Sequence, residues 1–189
     1  RVEDGITVKR LDREANPLPA FSSSGTMPGD LFDVLAVLNG VPGRMEWVHA
    51  CADSKELQKT SDYERVLYHR TDVPWPFADR DAVLQINVTL DRKAKKAIIR
   101  YRPNKTVRYA ANDEYVHLEK IEGHYTLEQL TNATTRVTYF VDAHPGGWIP
   151  NWLARLASED LPYETLKKLR DRVEATKASN RYKSFLARY

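Results

Sequence analysis

The sequence predicts an α+β fold, with a curved antiparallel sheet of about seven to nine strands wrapped around a long C-terminal helix. Three observations carry this. A single amphipathic helix pattern interrupts strand-like text near the N-terminus, residues 50–130 read as a series of strand-like segments, and the apolar spacing becomes helical after residue 143 and stays so. Strands run together and closed by a terminal helix are not the alternating βα order of a parallel sheet. So many antiparallel strands must curl. The helix can then cover the concave face, and wherever the two do not touch an apolar tunnel is left between them.

Residues 6–11 and 18–26 read as the first two strands, joined by a turn at Asn16-Pro17. Leu31, Val34, Leu35 and Leu38 then fall at i, i+3, i+4 and i+7, with Asp30 placed to start the helix and Gly40 to stop it. A further helical turn runs over 44–48, ending at Trp47. Strand-like segments follow at 54–59, 63–73, 81–90, 97–102, 115–121 and 125–130, punctuated by Asp62, the 91–96 stretch and Gly123. The last strand spans 136–143, where Thr138-Tyr139-Phe140-Val141 is rich in β-branched and aromatic residues. Ile149, Leu153 and Leu156 make one helical stripe and Leu166, Leu169, Val173 and Thr176 another, with Pro162 as a restart between them.

Composition narrows the function classes. The 189 residues suffice for one sizeable core, so residues 1–189 are expected to form one domain. No apolar run approaches the roughly 18 to 20 residues of a spanning helix. With 29 basic against 26 acidic residues the net charge is +3, a balance that implies no nucleic-acid partner. The single cysteine, Cys51, excludes an intrachain disulfide and a cysteine-built zinc site. Histidines 49, 69, 117, 124 and 144 never share the i, i+4 spacing of a helical zinc site, and Gly-x-Ser-x-Gly, a phosphate-cradling glycine loop and a dinucleotide fingerprint are all missing. No cofactor or metal is expected, and the chain is expected to act as a monomer. It begins at Arg1 rather than Met, which points to an N-terminal piece removed before that residue.

Two motifs stand out. In Val73-Pro74-Trp75-Pro76-Phe77-Ala78-Asp79-Arg80-Asp81, a proline on each side of Trp75 fixes two φ angles and removes two amide donors, so the strand ladder must break there. Far downstream, Gly146-Gly147-Trp148-Ile149-Pro150 opens the terminal helix. Together with Asp4-Gly5-Ile6-Thr7-Val8, Glu46-Trp47, Val116-His117-Leu118 and the Thr165 to Arg170 stretch, these resemble the START family, the steroidogenic-acute-regulatory-protein-related lipid-transfer domains. The resemblance implies a helix-grip architecture with a lipid-sized cavity under the last helix, holding one lipid or sterol-like molecule. It also implies that the 91–96 loop lies by the cavity mouth and moves with the terminal helix to admit ligand, in transient contact with a membrane surface.

Strand alternation assigns the inward side chains, because residues two apart share a face. If Arg80 points inward, so do Ala82, Leu84 and Ile86. Val116 and Leu118, Tyr125 and Leu127, and Val137, Tyr139 and Val141 follow the same logic. The terminal segment adds Trp148, Ile149, Trp152, Leu153 and Leu156 near the mouth. For each of these the alternative is core filling. Arg80 either pairs with a carboxylate, Asp79, Asp81 or Asp72, or anchors a ligand's polar head. Some sterol-binding relatives place a second arginine six positions later, paired with a buried glutamate. Here that position is Ile86, which implies a more apolar cavity, with Tyr101, Tyr109, Tyr115, Tyr125 and Tyr139 as sources of hydroxyls.

The four cations of 91–96 suit either an anionic bilayer or a solvated hairpin tip. Those of 167–172 read as a solvated helix face with local charge pairs, and the basic and aromatic 181–189 tail as membrane contact or frayed helix. Two other function classes stay open. One is a helix-grip enzyme of the cyclase or aromatase kind, using Arg80, Tyr125, Tyr139 and His117. The other is a protein-interaction module with a filled core. His117 is out of phase with Val116 and Leu118 and so is expected to face away from the tunnel.

Overall fold

The structure, a computed structural model, describes residues 1–12, 19–41, 43–109, 113–146, 149–150 and 160–179. Three antiparallel strands open it: β1 (Val2–Glu3), β2 (Ile6–Leu11) and β3 (Ala20–Pro28). The helices α1 (Leu31–Asn39) and α2 (Arg44–Trp47) come next, then β4 (Cys51–Lys59), β5 (Glu64–Thr71), β6 (Arg80–Asp91), β7 (Lys96–Pro103), β8 (Val116–His117), β9 (Ile121–Thr131) and β10 (Thr134–Ala143). The helix α3 (Leu161–Ser179) follows. The strands form one ten-stranded sheet in the order β1-β2-β3-β10-β9-β7-β6-β5-β4, with β8 beside β6.

The helix α1 forms where its spacing predicts. The Asp30 carboxylate accepts from the amides of Phe32 and Asp33, and the Asp33 side chain accepts from the Asp30 amide, so both ends of a capping box are closed. Its Leu31, Val34, Leu35 and Leu38 are at most 4% exposed. In α3, Pro162 sits in the first turn, where its missing amide costs nothing. Leu166, Leu169 and Val173 are fully buried, each contributing about 1.5–3 kcal/mol of burial. This stripe packs on β3, β2, α1 and α2. The cations of α3 do not pair locally. Lys167 reaches Asp4 at 3.3 Å, Arg172 reaches Glu46 at 2.5 Å and Arg170 donates to the carbonyls of Asp4 and Thr26, so this face moors the helix to the sheet and α2.

Three sequence expectations are corrected. The strand expected at 115–121 is only the two residues of β8, and it runs parallel to β6, pairing Val116 with Arg80 and His117 with Asp81. The reason lies in register: β7 ends against Leu84, so the first residues of β6 have an open edge that β8 fills, with Val116 and Leu118 donating to the carbonyls of Asp79 and Asp81. The edge strand β4 begins at Cys51 rather than 54 because two register shifts, at Cys51/Asp53 and Glu56/Gln58, break its alternation. The hairpin partner begins at Ala20, not 18. The turn at Asn16-Pro17, the stripe through Leu153 and Leu156, and the 181–189 tail lie outside the described residues.

Gly123 shows how tightly the sheet's inner surface is built. A Cβ there would collide with the Phe140 carbonyl and with the Tyr101 phenol, and neither a backbone carbonyl in a ladder nor a ring packed against Tyr125 and hydrogen-bonded to Tyr139 can give way. Gly123→Ala is therefore expected to cost about 1–3 kcal/mol. At about 2–4 °C per kcal/mol, a thermal melt that shifts by less than a degree would refute this packing argument.

Candidate functional site

At the end of the sheet where β6 starts and β10 stops, the concave face is left uncovered by α3 and encloses a cavity of about 180 Å3. Phe21, Leu84, Leu118, Ile121, Val141 and Leu161 supply most of its apolar wall. Val73, Pro145 and Ile149 close its outer end. A second cavity of about 20 Å3 lies deeper, between α1, β5, β6 and β7. Arg44, Tyr101 and Tyr125 stand on the wall of both.

The polar groups of the main cavity are few and concentrated. Tyr101 donates to the Tyr139 hydroxyl at 3.3 Å, and the rings of Tyr139 and Tyr125 stack at 4.4 Å. Burial pushes all three phenols above their ordinary range while the Arg44 charge pulls the other way, so they remain protonated donors. Arg80, 8% exposed, donates to the carbonyls of Ala78 at 2.6 Å and Pro145 at 3.3 Å. Neither acceptor carries a charge. Of the expected carboxylate partners, Asp79 holds Arg70 and the Val73 amide, and Asp81 holds His117. Burial lowers the Arg80 pKa, with Asp79 opposing at a distance.

Of the inward candidates, Arg80, Leu84, Leu118, Tyr125, Tyr139, Val141 and Ile149 line the main cavity, and Ile86 lines the small one. Ala82, Leu127 and Val137 face inward as well but are core, at most 1% exposed. Val116 packs under Gly146, whose φ of +64° and lack of a side chain let the chain pass there. Trp148, Trp152, Leu153 and Leu156 lie outside the described residues. The phase argument missed Arg44, His69 and Thr71. Arg44 comes from a helical turn too short to show a period, and His69 and Thr71 close a strand whose two faces are both buried near its centre. The 91–96 loop is not at the cavity: it ends β6 at the far end from Arg80, roughly 35 Å away at the usual strand rise, and its Arg92 stacks on Phe32 of α1.

His117 faces the outer surface, half-exposed, with Nδ1 2.8 Å from Asp81. The expected acid/base set of Arg80, Tyr125, Tyr139 and His117 is therefore split between the two faces of the sheet. Two other imidazoles line the cavity: His49, beside Lys168, and His69, with Nδ1 3.5 Å from the Cys51 sulfur and Nε2 3.2 Å from the Thr71 hydroxyl. Burial raises the Cys51 pKa, which keeps the thiol protonated. Among the described residues no group of three His, Cys, Asp or Glu side chains could hold a metal ion, and no helix is long and apolar enough to cross a membrane.

Burial, reinforced by the Arg44 charge, lowers the His69 pKa to about 3. In the unfolded chain it would titrate near ~6.5, so between these values the unfolded state binds a proton that the folded state refuses. Stability is complete above the unfolded value and falls as the pH drops towards 3, by up to about 1.4 kcal/mol per pH unit. His49 and His124, also lowered by burial, act in the same direction. Urea midpoints taken from pH 7.5 to 5 should fall less steeply for His69→Gln than for the unaltered chain. Parallel slopes would show that His69 is not the source.

Comparison with known proteins bears on the same architecture. The family model for the START domain matches residues 3–179. An uncharacterized protein of Pseudomonas aeruginosa, PA1579, is 32% identical over 172 residues, covering 91% of this chain and 84% of that one. Among solved structures, the STAR-related lipid transfer protein of Xanthomonas axonopodis superposes with a TM-score of 0.81 at 28% identity, over 92% of this chain and 96% of that one. Human STARD10 superposes with a TM-score of 0.82 at 17% identity, over 100% of this chain and 76% of that one. The Zhui aromatase/cyclase of Streptomyces shares the fold more distantly, with a TM-score of 0.57 at 12% identity, over 90% and 96% of the two chains. The curled sheet, the helix against its concave face and the matched sequence together place this chain in the START domain family.

Proposed function

We infer that the protein binds one hydrophobic ligand, a lipid or sterol-like molecule, in the cavity beside α3 and carries it between membranes without altering it. The observation that supports this most is the cavity itself: a largely apolar volume of about 180 Å3 kept open inside a core that is otherwise close-packed. A ligand whose apolar surface is buried in such a space gains about 25 cal/mol per Å2. The split acid/base set supports binding over cyclisation chemistry. Entry is through the end closed by Val73, Pro145 and Ile149, where short connecting segments rather than ladder strands form the wall. The loop that holds Val73 also presents Trp75, which is 90% exposed and suits brief contact with a bilayer surface.

Native mass spectrometry of the purified protein, followed by organic extraction, tests this reading. One lipid or sterol-like molecule per chain is the expected result. Val141→Trp, at a half-buried position on the cavity wall, should fold normally and abolish that occupancy. Undiminished occupancy in this variant would place the ligand elsewhere, and a chain that stays empty when offered lipid and sterol mixtures would refute the binding reading.

A further inference from the structure

Two guanidinium groups face the cavity, and none of the described residues lining it is acidic. Elsewhere in the core a shielded arginine has a counter-charge: Arg65 reaches Glu56 at 3.4 Å, and Arg172 reaches Glu46 at 2.5 Å. Arg44 has none. Its Nε is shielded from solvent and makes no hydrogen bond, while its guanidinium carbon stands 5.5 Å over the ring of Trp47, itself fully buried and edge-on to Tyr125 at 6.2 Å. The acids nearby are engaged elsewhere, Asp53 with Lys55 and Glu46 with Arg172. Arg44 as a whole is half-buried, and a partly shielded cation without an acidic partner is left poorly compensated. Arg80, whose acceptors are two uncharged carbonyls, adds a second positive charge to the same cavity, and the hydroxyls of Tyr101, Tyr125 and Tyr139 add donors between apolar walls.

We propose that the cavity takes a single-chain amphipathic acid, with Arg44 as the residue that binds its carboxylate and thereby sets ligand class. This deepens, and rests on, the hydrophobic-ligand reading. A planar carboxylate fits a guanidinium fork with two parallel hydrogen bonds and supplies the counter-charge that the cavity lacks. The volume of about 180 Å3 lies below the ~300–1,000 Å3 of pockets for bulkier ligands, which favours a slender chain over a two-chain phospholipid.

The test uses three probes with the same twelve-carbon chain, dodecanoate, 1-dodecanol and dodecyltrimethylammonium, titrated calorimetrically at pH 8 below their aggregation limits. Dodecanoate is expected to bind about tenfold tighter than the alcohol, the gain of one charge-assisted pair, and the cation not at all. Arg44→Met should weaken dodecanoate about tenfold more than it weakens the alcohol, while Arg44→Lys keeps part of the preference. If Arg44→Met does not fold, as judged by circular dichroism, the rank order in the unaltered protein and in Arg44→Lys decides. Equal or reversed affinities for acid and alcohol overturn the proposal and leave the hydrophobic-ligand reading intact. Failure of all three probes to bind overturns both.

Discussion

The packing of the α3 stripe across one half of the concave sheet is the constraint on which the rest of the structure depends. Leu166, Leu169 and Val173 are buried against β2, β3, α1 and α2, and this fixes the helix over the β3 side. The mooring bonds to Asp4, Thr26 and Glu46 lie at the rim and are individually weak, but they point the same way as the burial. A helix held there cannot also fill the space beside β6 and the end of β10. Among the described residues, the cavity follows from where the helix is anchored.

Within that space charge and hydrogen bonding are unevenly distributed. The outer face of the sheet settles its polar groups internally, Asp81 with His117 and Asp79 with Arg70. At the main cavity Arg44 and Arg80 stand without a carboxylate among the described residues, and the phenols stay protonated. The alternation of Arg80 and Asp81 along β6 thus sends one charge towards the cavity and the next towards the outer surface.

Much of the fold was legible in the sequence because period and punctuation are local signals. The α1 spacing with Asp30 and Gly40, the β10 run Thr138 to Val141 and the break at the two prolines around Trp75 each declare themselves within a few residues. The phase of β6 was legible too, since Arg80, Leu84 and Ile86 do face inward. What stayed hidden depends on residues distant in sequence. The parallel pairing of β8 exists because β7 stops at Pro103, a fact about a third strand. Arg44 sits in a four-residue helical turn whose direction is set by Trp47 seating against Tyr125. The position of the 91–96 loop depends on the length of β6, whose twelve residues put it at the end of the strand far from Arg80 and not at the mouth that the resemblance implies.

The bonds of Arg80 carry a consequence of their own. Its Nε holds the Pro145 carbonyl and its Nη1 the Ala78 carbonyl, so one side chain fastens the chain leaving β10 to the chain arriving at β6. The Nε carries a single proton, so an acceptor inside the cavity that takes it takes it from the Pro145 carbonyl. An occupant bound in that way would be thermodynamically linked to the fastening of the segment beyond β10. Whatever free energy one gives up when the other is established must be returned in equal measure when the order is reversed.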